Sequence, residues 1–211
     1  KESGARSKYE LFQRLNTGGS QLSPMEIRNC LLRLADSAFA QWLRELAKDE
    51  NFRACSDLSD EYLEQMGDLE LVCRFLAFRR LEPESILRVG DISKFLDSRM
   101  LAFAESTTYD RHAEEQAFRA TFELLHKKLG NVVFRRYDTR RNVFGGRFLI
   151  SAFEAIAIGL GYHMPGWKEN RTLKLENIVK KVWHDGDLKN CSGAGVRADA
   201  RIRKSVPLGR A

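Results

Sequence analysis

Apolar residues recur at spacings of three and four along most of this chain, and that spacing predicts a helical protein. Leu11, Phe12 and Leu15 share one face of a first helix over residues 5–15. Ser23-Pro24-Met25-Glu26 then opens a second helix, running from 24 to about 35. Ser23 suits the N-cap, Pro24 the first helical position and Glu26 the reciprocal capping-box position, with Leu22 placed for a staple to Ile27. Ser37 is positioned to cap a third helix carrying Phe39, Trp42, Leu43 and Leu46, and residues 51–56 read as a loop. A short helix over 57–66 has Leu58, Tyr62 and Met66 on one side.

The strongest apolar stretch of the first half runs from Leu69 to Leu81. Asp68 and Glu70 lie near its start, Arg79 and Arg80 near its finish, as the helix dipole favours. Glu82-Pro83-Glu84 ends it. Asp91 begins a helix with Phe95, Leu96, Met100 and Phe103 inward. Asp110 to Leu129 reads as a long helix with Phe118, Phe122, Leu125 and Leu129 in register, closed by Gly130. Residues 147–160 are apolar nearly all round, which predicts the central buried helix, with a strand as the alternative. Gly159, Gly161, Pro165 and Gly166 mark a loop, residues 170–183 an amphipathic helix, and Gly195 to about Ser205 a last basic one. The expected fold is all-α: a single multi-helix bundle of eight to ten helices spanning residues 1–211.

Composition fits that picture. The chain has 211 residues, 43% hydrophobic and 30% charged, enough for a substantial core. No stretch approaches the roughly 18 apolar residues that a membrane span needs. Cys30, Cys55, Cys73 and Cys191 lack Cys-x-x-Cys spacing, and the four histidines are scattered. Reduced, mostly buried thiols in a cytoplasmic protein are expected, without a metal site. Glu114-Glu115, Asp57/Asp60/Glu61 and Glu82/Glu84 read as solvated faces or helix starts. The net charge is +6, unevenly spread. Residues 1–125 carry 17 Lys and Arg against 22 Asp and Glu, a balance of −5; residues 126–211 carry 18 against 7, a balance of +11. A polyanionic partner for the second half accounts for this asymmetry, and so does pairing between the halves.

The most informative block is Phe12-Gln-Arg-Leu-Asn-Thr-Gly-Gly-Ser-Gln-Leu-Ser-Pro-Met-Glu-Ile-Arg-Asn29. It resembles the Arg-Leu-Asn-x-Gly-Gly-x-x-Leu-Ser-x-x-Glu-Ile-Arg-Asn signature of the ParB-like "domain of unknown function 262" family, which includes the N-terminal halves of GmrSD-type, modification-dependent restriction enzymes. The resemblance is carried by residues 1–35; beyond them, Ser192-Gly193-Ala194-Gly195 and the basic tail match best. It implies defence against foreign DNA, gated or driven by nucleoside triphosphate hydrolysis. Arg14, Asn16, Thr17, Gly18 and Gly19 would then help complete a nucleotide pocket: Arg14 offers a fork of donors, and glycine amides can form an anion-binding concavity. The alternative is that Arg14 and Asn16 satisfy buried backbone, Glu26 caps a helix and Arg28 makes an ordinary ion pair.

The family's Asp-Gly-Gln-Gln-Arg nucleotide motif does not occur in these residues. The chain is therefore read as a piece of a longer protein, following its catalytic part. It is assigned no catalytic residue and no cofactor of its own, while NTP and Mg belong to the whole protein. Whether the whole is a nucleotide-dependent endonuclease is left open, and no cluster typical of a following His-Asn-His nuclease domain is present.

Two basic segments are the candidate DNA contacts. In residues 134–147, Arg135, Arg136, Arg140, Arg141 and Arg147 alternate with Phe134, Tyr137 and Phe144. Arginines bind phosphates and aromatic faces can stack on bases, although a basic connector anchored by its aromatics has the same pattern. Nearer the end, Arg197, Arg201 and Lys204 fall on one helical stripe, able to follow a phosphate backbone or to pair internally. DNA is the first partner expected, then the missing N-terminal half of the same protein and a second copy of the chain; no membrane is expected. The competing class is a non-catalytic helical module whose acidic half docks a protein.

Overall fold

The computed structural model describes residues 22–164, 166–168, 174–184, 186–193 and 195–211. The helix expected over 5–15 and the turn from Arg14 to Gly19 lie outside them. Among the described residues there are twelve α-helices and one two-stranded antiparallel sheet. The fold is mainly α.

α1 (Pro24–Ala35) begins as its sequence dictates. Ser23 Oγ accepts from the Glu26 backbone N–H at 3.2 Å, and Glu26 Oε2 accepts from the Ser23 N–H at 2.6 Å. These reciprocal bonds satisfy two otherwise orphaned amides. Asp36, rather than Ser37, caps α2 (Ser37–Ala47), accepting from Phe39 N–H at 2.9 Å. Residues 51–56 are not a loop. Asp49 caps α3 (Glu50–Ser56), and Phe52 is fully buried against Phe118 and Phe122. α4 (Asp60–Glu64) is only the middle of the segment expected to be helical.

α5 (Gly67–Arg79) is buried along almost its whole length. Pro83 follows it closely, yet starts the short helix α6 (Pro83–Leu87), using its preset φ at the first position. α7 (Ile92–Glu105) and α8 (Arg111–Leu129) start within a residue of where they are expected, with Asp91 and Asp110 as their N-caps. Gly130 closes α8 with a φ of +57° and leads into a short 3-10 turn.

β1 (Arg136–Asp138) and β2 (Val143–Gly145) form a hairpin that periodicity does not reveal. α9 (Ile150–Tyr162) is the central helix, buried from Ser151 through Gly159. α10 (Leu175–His184) buries Leu175, Val179 and Trp183. α11 (Gly186–Cys191) leads towards α12 (Ala198–Arg210), which packs along α9. α5, α8 and α11 also pack on α9. The short helices α3, α6 and α11 raise the number above the eight to ten expected.

Gly159 and Gly161 belong to α9 rather than to a loop. A Cβ at Gly159 would lie 2.1 Å from the Gly209 carbonyl oxygen, and one at Gly209 would lie 1.8 Å from the Ala155 oxygen. The two glycines let the backbones of α9 and α12 meet without intervening side chains. At Gly161 an added Cβ would fall 2.5 Å from the Phe75 ring.

Buried arginines tie the helices together. Arg28 of α1 binds Asp97 of α7 at 2.6 Å and donates to the Ser93 carbonyl at 3.1 Å. Arg79 donates through Nε to Glu114 at 2.8 Å and through Nη1 to the Gly161 carbonyl at 3.1 Å. Glu114 is therefore a core residue and not part of a solvated face. Its neighbour Glu115 accepts from Trp42 and Arg119.

Two outcomes follow from this packing. Gly209→Ala should destabilise the protein by about 1–3 kcal/mol through overpacking, read as a lower midpoint in urea unfolding. A disulfide-exchange reagent at mildly alkaline pH should label half-buried Cys30 first, because burial pushes the Cys55 and Cys73 thiols up to about 12. Equal rates at all three in the folded protein would contradict the packing.

Candidate nucleic-acid interface

The hairpin converts the arginine-rich segment into a two-faced element. Tyr137 pairs with Phe144 across the strands, and their ring centres lie 4.9 Å apart. Tyr137 is buried and Phe144 half-buried, whereas Arg136, Val143 and Gly145 are exposed. This is the alternation that the pleat of a strand imposes. Phe134, at the base, is buried against Phe122, Phe148 and Phe153. The aromatics therefore anchor the element, and base stacking by Phe134 and Tyr137 does not fit their burial.

The tip is built by side-chain capping. Asp138 Oδ1 accepts from the backbone N–H of Arg140 at 2.9 Å and of Arg141 at 3.1 Å. The Arg141 and Arg140 amides hold the Asp138 carboxyl below its ordinary range. Asn142 takes the left-handed conformation, φ +55°, and its side-chain oxygen accepts from Tyr137 OH. The turn thus holds Arg140 and Arg141 outward in solvent. Arg141 reaches back to Asp138 only at 3.9 Å.

Two concavities flank the hairpin. A cleft of about 870 Å³ lies between it, α4 and α12, with Arg135, Arg147, Arg201, Tyr62 and Gln65 in its wall. A shallower one of about 460 Å³ has Arg136, Arg141 and Arg147 on its side, with Ser192 at its edge. Gly146, Arg147 and Leu149 line both, so the two adjoin; Asp57 and Glu61 also line the first and Asp138 the second. Ser23 donates to the Gln65 carbonyl at 3.2 Å, which puts the entry to α1 on the cleft's rim.

The arginines differ in availability. Arg135 is held by Asp57 at 2.5 Å. Among the described residues, Arg136, Arg140 and Arg147 have no ion pair and are exposed. The C-terminal row is largely engaged. Arg197 precedes α12 and pairs with Asp199 at 3.1 Å. Lys204 is exposed and has interactions of its own. Arg201 turns inward to Glu154, at 3.0 Å. Arg203, which the stripe omits, donates to the Val89 carbonyl at 2.7 Å.

Sequence spacing misses the group behind the cleft. Glu154 is fully buried in α9 and accepts from Arg74 Nη1 at 3.0 Å, Arg201 Nε at 3.0 Å and Ser205 Oγ at 2.8 Å. Arg74 also binds Glu70, one helical turn away, at 2.6 Å. Burial lowers the Arg74 pKa, but the carboxylates of Glu70 and Glu154 outweigh it and the net shift is upward. A lone Glu within an apolar helix is the available signal, since a buried carboxylate needs a cationic partner. Burial likewise pushes the Tyr62 phenol up to about 12, so at neutral pH it presents a hydroxyl to the cleft.

The signature is only partly described. Arg14, Asn16, Thr17, Gly18 and Gly19 lie outside the described residues. Of the remainder, Ser23 and Glu26 form the cap, Arg28 is buried on Asp97, and Asn29 accepts from Arg44 at 2.9 Å. Among the described residues no three His, Cys, Asp or Glu side chains converge as a metal set. No described helix is long and apolar enough to cross a membrane. Comparison with protein-family models, with curated proteins and with solved structures gives no match.

Glu154→Gln should cost about 3–5 kcal/mol, because it strips the charge facing two largely buried guanidinium groups. Combining it with Arg201→Gln should recover part of the loss. Additive losses in urea unfolding would show that the two side chains are uncoupled.

Proposed function

We propose that this chain is the helical, nucleic-acid-contacting portion of a DNA-defence protein, and that its hairpin meets the phosphate backbone of DNA. One observation carries the reading: Arg136, Arg140, Arg141 and Arg147 stand exposed around one rigid hairpin whose aromatics are turned inward. Such a surface reads charge and backbone shape, not base identity. Contact through arginines without stacking favours duplex over single-stranded DNA.

The entry of α1 at the rim of the larger cleft supports the second part of the reading. The signature residues Arg14, Asn16, Thr17, Gly18 and Gly19 lie a few positions before Leu22 in sequence. In the full-length protein they would support a nucleotide site formed with its other part. The resemblance carries this role, and no chemical step is derived for the described residues.

Arg140→Glu with Arg141→Glu should weaken binding to a short DNA duplex and flatten its salt dependence. The slope of log K against log salt should fall by roughly one for each phosphate that is no longer neutralised. An unaltered slope removes the hairpin as the contact surface and leaves the helical protein-docking module as the reading. In the full-length protein, Asn16→Ala should lower nucleotide turnover while sparing duplex binding. Unchanged turnover would dispose of the nucleotide role.

A further inference from the structure

A further cavity lies away from the hairpin, between α5, α7 and the start of α8. Its volume is about 290 Å³, and Leu76 and Ala77 form an apolar wall. Arg99 Nε and the Tyr109 hydroxyl, both from residues lining it, are buried and have no hydrogen-bond partner among the described residues. A buried donor left unmatched costs about 1–3 kcal/mol, and two at one cavity mark a place where acceptor atoms belong.

The two groups are held ready by Phe103. The Arg99 guanidinium carbon lies 4.7 Å from the Phe103 ring centre, and Tyr109 stacks on Phe103 at 4.1 Å with an interplanar angle of 11°. A cation–π contact fixes the guanidinium yet leaves its in-plane N–H groups free. Nε–H and one Nη–H form the fork that matches two oxygens of a carboxylate or phosphate. Burial pushes the Tyr109 pKa upward, so the phenol stays a donor.

Charges of both signs line the cavity. Glu114 is already held by Arg79, and Asp110 Oδ1 accepts from the Ala113 N–H at 2.9 Å while its carboxylate keeps its charge. Arg80 lies 3.6 Å from Glu114 with its side chain 65% exposed, while Arg99 has no ion pair among the described residues. The lining thus holds two cations, Arg80 and Arg99, and two carboxylates, Asp110 and Glu114, and of the cations Arg99 is the one without a counter-charge among the described residues.

We propose that this cavity binds a small oxyanion ligand, held side-on by the Arg99 guanidinium with a third hydrogen bond from the Tyr109 hydroxyl. It is separate from the hairpin surface and does not rest on the DNA reading.

The test is a titration of the whole chain with inorganic phosphate and, separately, with acetate at matched ionic strength. It is read at the Arg99 Nε–H resonance, assigned by its loss in Arg99→Gln. A saturable shift is expected for at least one anion; tighter phosphate assigns a phosphoryl ligand, and tighter acetate a carboxylate. Tyr109→Phe, which keeps the stacked ring, should weaken binding roughly tenfold, whereas Arg140→Glu with Arg141→Glu should leave it unchanged. No saturable shift with either anion overturns the proposal. Unweakened binding in Tyr109→Phe, or loss in the hairpin variant, overturns it as well.

Discussion

The fully buried carboxylate of Glu154 constrains most of this structure. A charge in an apolar helix is tolerable only if cations meet it inside the protein. Arg74 comes from α5 and Arg201 from α12, so two helices distant in sequence must be placed against α9 to within a hydrogen bond. Apolar contact alone would allow these helices to slide; the paired charges fix their register. The same group sets the back of the larger cleft, because Arg201 belongs to both. The pattern recurs in Arg28 with Asp97 and in Arg79 with Glu114, each joining helices far apart in the chain.

The helical architecture is legible in the sequence because it rests on local rules. Ser23, Asp91 and Asp110 cap where their side chains can reach free amides, and the apolar run of α9 admits burial on every side. The departures have physical causes. Asp36 and Ser37 are both good capping types, and a shift of one residue decides which of them starts the helix. Residues 51–56 are too few to show a period, and the Asp49 cap together with the tertiary partners of Phe52 holds them as a helix. Gly159 and Gly161 resemble chain breakers, but at a close helix crossing the absence of a side chain is what allows contact.

The candidate site is legible as composition and not as geometry. Clustered arginines in 134–147 are visible, but three-residue strands have too little alternation to be recognised. Their pairing separates what the sequence interleaves: aromatics inward, arginines outward. In the row of Arg197, Arg201 and Lys204, Arg197 and Lys204 are exposed and Arg201 turns inward. Helical spacing puts residues on one face without saying which partner that face meets, and for Arg201 the partner is Glu154.

The glycine crossing of α9 and α12 has a consequence for how the chain reaches its native state. The most apolar helix is made well before the segment that covers it, and the ribosome delivers residues in that order. Until α12 arrives, α9 presents a greasy face and a carboxylate lacking one of its cations. Burial of that face therefore waits for α12, and the interval beforehand is when aggregation competes.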